Sequence, residues 1–138
     1  MQQFQINYIS VVASAVAMMV LGFLWYGPLF GKMWMKEMGL TKTDMEAAKK
    51  KGMVKQYVLM AVSALVMSYV FDHVLIAFSS TNVLTALQGA FWVWLGFIAT
   101  LLLGSVLWEN KSWKLYGLNA GYYLVSLGII GVILTLWK

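Results

Sequence analysis

The sequence predicts an all-α integral membrane protein with four transmembrane helices in an antiparallel bundle. Hydrophobic residues make up 62% of the 138 residues and charged residues 11%, whereas soluble domains have roughly 45–50% and about 25%. Four apolar segments are each long enough to cross a bilayer, which takes about 20 residues. The lysines gather between these segments. Five acids and ten bases cannot cover an apolar core, so an ordinary soluble fold is excluded.

Span 1 is predicted at about residues 6–29. It contains no charged residue and closes on Gly27 and Pro28, residue types that end helices. A secretory signal peptide starts with a positively charged segment, and the residues before this span carry no lysine or arginine. We therefore expect a retained span with its amino end outside the cytoplasm.

A polar loop at residues 31–53 follows span 1. Thr43 and Glu46 have the spacing of a capping box, in which the two side chains satisfy backbone N–H groups at a helix start. This pair predicts a short helix that begins at Asp44.

The lysines of this loop have two interpretations. Each could gain about 1 kcal/mol from anionic lipid headgroups at the membrane surface. The same pattern is expected of any cytoplasmic loop, because lysine-rich flanks stay in the cytoplasm. The candidate headgroup contacts are Lys49, Lys50, Lys51 and Lys55.

Spans 2, 3 and 4 are predicted at about residues 54–78, 83–108 and 115–137. Small residues line one face of span 3, and a Gly-x-x-x-Gly step opens span 4; such residues let helix backbones approach closely in lipid. We expect close packing and self-association through these faces. Their members are Gly89, Gly96, Thr100, Gly104, Gly117, Gly121, Gly128 and Gly131.

The placement of the lysines predicts the orientation. Seven lie after span 1, between residues 31 and 55, and two in the turn after span 3, while Lys138 alone lies on the opposite side. Because lysine-rich flanks stay in the cytoplasm, both termini are expected outside it. Aromatic residues that favour the membrane interface gather on the lysine side as well: Trp25, Trp34, Tyr57, Trp108, Trp113 and Tyr116.

The chain also contains an internal sequence similarity. Leu24-Trp25 ahead of Lys32-Met33-Trp34 resembles Leu107-Trp108 ahead of Lys111-Ser112-Trp113. Two repeated helical hairpins would produce this similarity. Aromatic and lysine anchors that recur at every inner interface would also produce it, and the sequence leaves both explanations open.

Missing residue types exclude several activities. The chain has no cysteine, hence no disulfide, thiolate or cysteine-ligated metal site. All ten bases are lysines, and the absence of arginine argues against a nucleic-acid partner. Neither an activated nucleophile nor a metal-ligand cluster is visible. We expect no catalytic residue, cofactor or metal, and a protein that is not an enzyme.

Polar groups inside lipid are costly, so they are the candidate functional residues. Asp72 and His73, near the outer end of span 2, and Glu109, after span 3, are candidates for a proton or interface site. Asn119 in span 4 either lines a solute path or bonds a neighbouring helix. The residues that could join Asn119 in either arrangement are Gln88, Thr100, Tyr122, Tyr123 and Ser126.

Aromatic and glycine motifs at 24–32 (LWYGPLFGK), 91–97 (FWVWLGF), 107–114 (LWENKSWK) and 119–122 (NAGY) carry a family resemblance. The chain resembles the bacterial family catalogued as domain of unknown function seventeen sixty-one. The resemblance covers nearly the whole chain and is weakest over 42–82. It implies a small four-span protein of the bacterial cytoplasmic (inner) membrane, and it brings no established reaction, ligand or catalytic residue.

The function expected from the sequence is that of a non-enzymatic homo-oligomeric bundle that binds or passes a small ion, solute or lipid. An accessory or scaffold subunit of a larger membrane complex is the alternative. A membrane enzyme acting on lipids is the third. The expected partners are membrane lipids and further copies of the chain.

Overall fold

The computed structural model of this protein describes residues 5–137, and over that range the chain is helical without any strand. Four helices are long and apolar enough to cross a membrane, which confirms the prediction of an all-α protein with four membrane-length helices. Residues 1–4 and Lys138, which enter the orientation argument, lie outside the described residues. The four helices are span 1 (Tyr8–Leu29), span 2 (Val54–Ala77), span 3 (Val83–Leu107) and span 4 (Trp113–Leu136).

Two of the spans are interrupted by wider, π-helical turns. Span 1 consists of α1 and a first π segment, span 3 of α5, a second π segment and α6, and spans 2 and 4 are α4 and α7. Two short helices, α2 and α3, lie between spans 1 and 2. The bounds are α1 Tyr8–Leu24, first π segment Trp25–Leu29, α2 Gly31–Met38, α3 Lys42–Lys51, α4 Val54–Ala77, α5 Val83–Val93, second π segment Trp94–Ala99, α6 Thr100–Leu107 and α7 Trp113–Leu136.

Polar side chains set the starts of three spans. The side-chain oxygens of Asn7, Asn82 and Ser112 each accept a hydrogen bond from a backbone N–H two or three residues further on. These bonds satisfy N–H groups that have no partner within the helix. The spans therefore begin where a polar cap meets an apolar run.

The helix of the lysine-rich loop starts earlier than the sequence predicted. Thr41 is its cap: its hydroxyl accepts from the N–H of Asp44 at 3.2 Å, and the Asp44 carboxylate accepts from the N–H of Thr41 at 2.9 Å. The predicted cap at Thr43 is wrong, because a cap residue needs extended backbone and Thr43 is already helical. The left-handed turn at Gly39 (φ +71°) ends α2 and leaves Thr41 extended.

Span 1 breaks near the end of the bundle that carries the lysine-rich loop, which we call the lysine end. Pro28 has no N–H to donate to the helix ladder, and Gly27 departs from helical geometry (φ −109°, ψ −106°). The chain then turns tightly into α2. A Cβ at Gly31 would lie 2.8 Å from the carbonyl oxygen of Tyr26, so only glycine fits there.

The second π segment changes the surface of span 3. A π turn inserts extra residues, so the helix after it is rotated relative to the helix before it. Gly89 is buried against side chains at the end of span 2, whereas Gly96 and Thr100 are exposed and a Cβ at Gly96 would meet nothing within 4 Å. The expectation of a single closely packed face on span 3 is therefore wrong within this chain.

Span 4 is the central helix of the bundle. It packs against spans 1, 2 and 3, while spans 2 and 3, although consecutive, barely touch one another. Its small residues accommodate neighbours: a Cβ at Gly131 would lie 3.3 Å from the carbonyl oxygen of Ala86, and one at Gly121 would lie 3.3 Å from the Trp25 indole. Gly117, by contrast, faces open space.

Candidate functional site

The carboxylate of Asp72 is buried although it belongs to an apolar, membrane-length helix. The residue is 3% exposed and lies five positions before the end of span 2 at Ala77. Ser68, one turn earlier on the same face, is completely buried. This face packs against span 1, so the sequence places a polar stripe in a helix contact where apolar residues would cost less.

Asp72 forms part of a cavity of about 460 Å³ at the end of the bundle opposite the lysine end. At about 30 Å³ per molecule, the cavity has room for about fifteen waters. Its walls come from the start of span 1, the end of span 2 and the end of span 4. The lining residues are Gln5, Ile6, Asn7, Ser10, Asp72, Ile76 and Leu134.

Hydrogen bonds fix the polar wall of this cavity. The Ser10 hydroxyl donates to the carbonyl oxygen of Asn7 at 2.8 Å. The Asn7 side-chain amide donates to the carbonyl oxygen of Trp137 at 3.2 Å, which ties the start of span 1 to the end of span 4. The cavity therefore combines a carboxylate with hydroxyl and amide oxygens, all groups that favour small, hard cations.

Two serine hydroxyls lie deeper in the bundle. Those of Ser14 in span 1 and Ser68 in span 2 are fully buried and have no hydrogen-bond partner in the described part of the chain. An unsatisfied buried hydroxyl costs about 1–3 kcal/mol. Ser14 is one turn from Ser10 and Ser68 is one turn from Asp72, so both continue the polar wall of the cavity towards the middle of the bundle.

Span 4 continues the polar interior at the middle of the bundle. Ser126 is completely buried, and Tyr122, one turn closer to the lysine end, is 7% exposed. The Tyr122 hydroxyl donates to the carbonyl oxygen of Met18 in span 1 at 3.0 Å. Its ring packs edge-on against Tyr123, with 5.1 Å between ring centroids. We call Ser10, Ser14, Ser68, Asp72, Tyr122 and Ser126 the polar interior.

Asn119 joins spans 1 and 4 near the lysine end. Its side-chain oxygen accepts a hydrogen bond from the Tyr26 hydroxyl at 2.7 Å. The indole N–H of Trp25 donates to the carbonyl oxygen of Leu118 at 3.0 Å, beside this pair. Asn119 thus has a partner on a neighbouring helix, one of the two roles the sequence left open.

The expected companions of Asn119 do not all gather around it. Tyr122 and Tyr123 lie one turn along the same span, and the Tyr122 ring packs against Tyr26 at 5.3 Å. Contrary to expectation, Gln88 and Thr100 do not line the interior, because both are exposed on span 3. The Thr100 hydroxyl donates to the carbonyl oxygen of Gly96 within its own helix, at 2.8 Å.

Neither His73 nor Glu109 lines the Asp72 cavity. The His73 ring is half-buried beside Tyr69, with its Nδ1 2.9 Å from the Tyr69 carbonyl oxygen. Glu109 is exposed in the turn before span 4, at the lysine end. The three candidates grouped from the sequence therefore occupy three different surroundings.

The candidate headgroup lysines form an exposed basic patch. Three of them occupy the last turn of α3, where the partial negative charge of a helix C-terminus favours cations. The fourth lies in the first turn of span 2. The four exposed residues are Lys49, Lys50, Lys51 and Lys55.

Several contributors to the interior were not singled out as site residues from the sequence. Trp94 donates its indole N–H to the carbonyl oxygen of Ala120 at 2.7 Å, as Trp25 does to that of Leu118. The sequence indicates only an interfacial position for Trp25. The four-residue spacing of Ser10 and Ser14 is the signal in the sequence for a polar face on span 1.

The fold and these buried groups define a four-span membrane protein with a polar interior where spans 1, 2 and 4 meet. The chain belongs to the family described as protein of unknown function DUF1761, whose family model matches residues 9–135. This confirms the resemblance noted from the sequence. No curated protein and no solved structure matches the chain significantly.

Proposed function

We propose that this protein is a non-enzymatic component of the bacterial cytoplasmic membrane that binds a small cation, in the simplest case a proton, at Asp72. The observation that carries the proposal is the buried Asp72 carboxylate in the wall of an open polar cavity. Ionisable groups inside membrane spans are costly to bury and mark ion pathways and proton relays.

The polar interior supports passage of the proton as well as its binding. Two pairs of the buried groups lie one turn apart on a single helix, Asp72 and Ser68 on span 2 and Ser126 and Tyr122 on span 4, and Ser14 is buried on span 1, which packs against both. Hydroxyl groups both donate and accept hydrogen bonds, as a proton relay requires. The proposed route leads towards the break in span 1 at Gly27.

The proposal includes the orientation and an oligomeric state. With the lysine end in the cytoplasm and the bundle antiparallel, both termini and the Asp72 cavity face outside. Two copies associate through span 3, where Gly96, Thr100 and Gly104 recur at intervals of four and leave a small-residue surface uncovered within the chain. The glycines of span 4 contribute less to this contact, since Gly121 and Gly131 already pack inside the chain.

Proton flux into liposomes tests the proposal. Purified protein is reconstituted around a pH-sensitive dye, and a potassium gradient with valinomycin supplies the driving potential. The wild type is expected to acidify the lumen at least tenfold faster than empty liposomes, and Asp72→Asn to abolish this difference. Glu109→Gln removes an exposed carboxylate at the other end and should leave the flux unchanged.

Two results would count against the proposal. One is a wild-type flux no greater than that of empty liposomes; the other is an Asp72→Asn flux equal to that of the wild type. Circular dichroism and size-exclusion profiles of both variants show whether each retains the fold. Infrared difference spectra measure proton binding directly. In the wild type, a band of the protonated carboxyl group should be lost on deprotonation, and in Asp72→Asn this band should be absent.

An accessory subunit of a larger membrane complex is the second candidate, and the surface of span 3 favours it. Phe97 and Leu101 are 74% and 77% exposed on the same helix as the uncovered small residues. A photo-crosslinking amino acid at Leu101 in native membranes would then capture one defined foreign protein. Capture of a second copy of the chain supports the homo-oligomer instead.

A further inference from the structure

Spans 2 and 3 enclose a groove that the polar interior does not use. The two helices diverge after the turn that joins them: span 2 packs mainly on span 1 and span 3 mainly on span 4, with few contacts between spans 2 and 3. The space between them measures about 490 Å³. One wall is a stripe of span 2 from Ser63 to Val74, the other contains Val93 and Ile98 of span 3, and Leu127 of span 4 also lines it.

The chemistry of the groove is that of the lipid core. Apart from Ser63, every lining residue is apolar. The groove opens sideways between two membrane-length helices, so it faces hydrocarbon and not water. An empty gap there would forfeit dispersion contacts on both walls, so hydrocarbon fills it.

The length and depth of the groove match one leaflet. Ser63 lies near the middle of span 2 and Val74 three residues before its end. Eleven residues at 1.5 Å each cover about 16 Å, about half of a hydrocarbon core roughly 30 Å thick. The span 2 wall thus covers the half of the bilayer opposite the lysine end, while Val93, Ile98 and Leu127 lie near the middles of spans 3 and 4.

We propose that this groove binds one acyl chain of a phospholipid from the leaflet opposite the lysine end. A methylene group occupies about as much space as a liquid water molecule, about 30 Å³, so a groove of about 490 Å³ holds about sixteen of them. A helix about 10 Å wide needs roughly 120 Å³ per residue, so the groove would admit only about four residues of a partner helix. The occupant is therefore a lipid chain.

No charged residue lines the groove, and the nearby turn between spans 2 and 3, residues 79–82, carries none either. The site therefore selects lipids by the fit of the chain and not by headgroup charge.

Native mass spectrometry after detergent exchange tests the proposal. The wild type should retain one phospholipid per chain, from zwitterionic and anionic mixtures alike. Val70→Trp places an indole in the groove and should reduce retention at least tenfold. The matched control is Val62→Trp, because Val62 is 50% exposed and Val70 52%, both on span 2, and Val62 does not line the groove.

Val93→Trp fills the groove from the opposite wall and should also reduce lipid retention. Agreement between the two variants shows that the loss does not come from a folding defect of Val70→Trp alone. Equal lipid retention by the wild type and both groove variants overturns the proposal. The proposal is also overturned if Val70→Trp retains lipid as the wild type does but no longer gives a dimer in the mass spectrum, since a second copy of the chain would then be the occupant of the groove. The lipid count is independent of proton flux, so this proposal and the proposed function fail separately.

Discussion

The hydrogen bond between Tyr26 and Asn119 favours a structural role for the Asn119 side chain over a role in lining a solute path. Because the Tyr26 hydroxyl already donates to the Asn119 side-chain oxygen at 2.7 Å, we expect a structural role. A double-mutant cycle with Tyr26→Phe and Asn119→Leu, measured by unfolding in bicelles, should give a coupling of about 0.6 kcal/mol. Flux per folded protein should stay at the wild-type level in both single variants.

The opposite pattern would assign Asn119 to a solute path. In that case Asn119→Leu abolishes flux, the assembled protein keeps its size and stability, and the coupling to Tyr26 is close to zero.

The stability of the N-terminal cap of α3 depends on pH through Asp44. Its carboxylate accepts a hydrogen bond from the Thr41 N–H, and the Thr41 hydroxyl adds a second contact, which together hold the pKa of Asp44 below its usual value. Since the pKa is lower in the folded helix, the capping contribution is complete above the usual value of about 3.9 and is lost as pH falls through the lowered value.

Titration of the Asp44 amide chemical shift in nanodiscs, from about pH 6 to about pH 2, measures this pKa. Thr41→Ala removes the side-chain contact, so the transition should move towards higher pH. An unchanged midpoint in that variant would show that the hydroxyl contributes nothing.

At the scale of the elements, two glycines of span 4 allow the steric cost of close helix packing to be measured apart from the gain in helix propensity. Gly131→Ala brings a methyl within 3.3 Å of the Ala86 carbonyl oxygen, whereas Gly117→Ala extends into open space. Both gain up to about 1 kcal/mol of helix propensity, so the difference between them isolates the steric cost. We expect Gly131→Ala to be less stable than Gly117→Ala by about 1–3 kcal/mol.

Thermal or denaturant unfolding of the two variants in one detergent provides the comparison. Equal stability would mean that the backbone around Ala86 moves aside without cost.

The sequence predicted the spans well because hydropathy over a membrane-length window depends on composition and not on detail. The observed ends lie within two residues of the predicted 6–29, 54–78, 83–108 and 115–137. It predicted the α3 start less well, since Thr41-x-x-Asp44 and Thr43-x-x-Glu46 have the same spacing. The turn at Gly39 selects the first of these.

The second π segment had no local signal, and it explains the poorest predictions. Its residues Trp94–Ala99 are apolar, and the single glycine among them, Gly96, does not distinguish a π turn from an ordinary helix. The rotation it introduces leaves Gly96 and Thr100 exposed, away from the face that buries Gly89.

The candidate site was predictable only in part, because its residues come from different helices. Asp72 was identifiable because an acid inside an apolar span is costly wherever it lies. The cavity around it is assembled from the ends of three spans, and no pattern within one helix contains that information.

For the whole molecule, cysteine labelling tests the orientation. The chain has no cysteine, and Thr81 and Lys50 are exposed at opposite ends of the bundle. Thr81→Cys should react with a membrane-impermeant maleimide added to intact cells, and Lys50→Cys only after lysis. The reverse pattern would place the lysine end outside. Ser80 is unsuitable for labelling because it is 1% exposed and bonded to Thr135.

The central position of span 4 has a consequence for biogenesis. The ribosome delivers spans 1, 2 and 3 to the membrane first, yet each packs on span 4. Until span 4 arrives, the indole N–H groups of Trp25 and Trp94 lack the carbonyl oxygens of Leu118 and Ala120 that they bond in the finished protein. Spans 1 and 2 pack on one another before span 4 is made, whereas span 3 packs mainly on span 4. A nascent chain stopped before span 4 therefore leaves span 3 without its main packing partner and open to quality-control proteases.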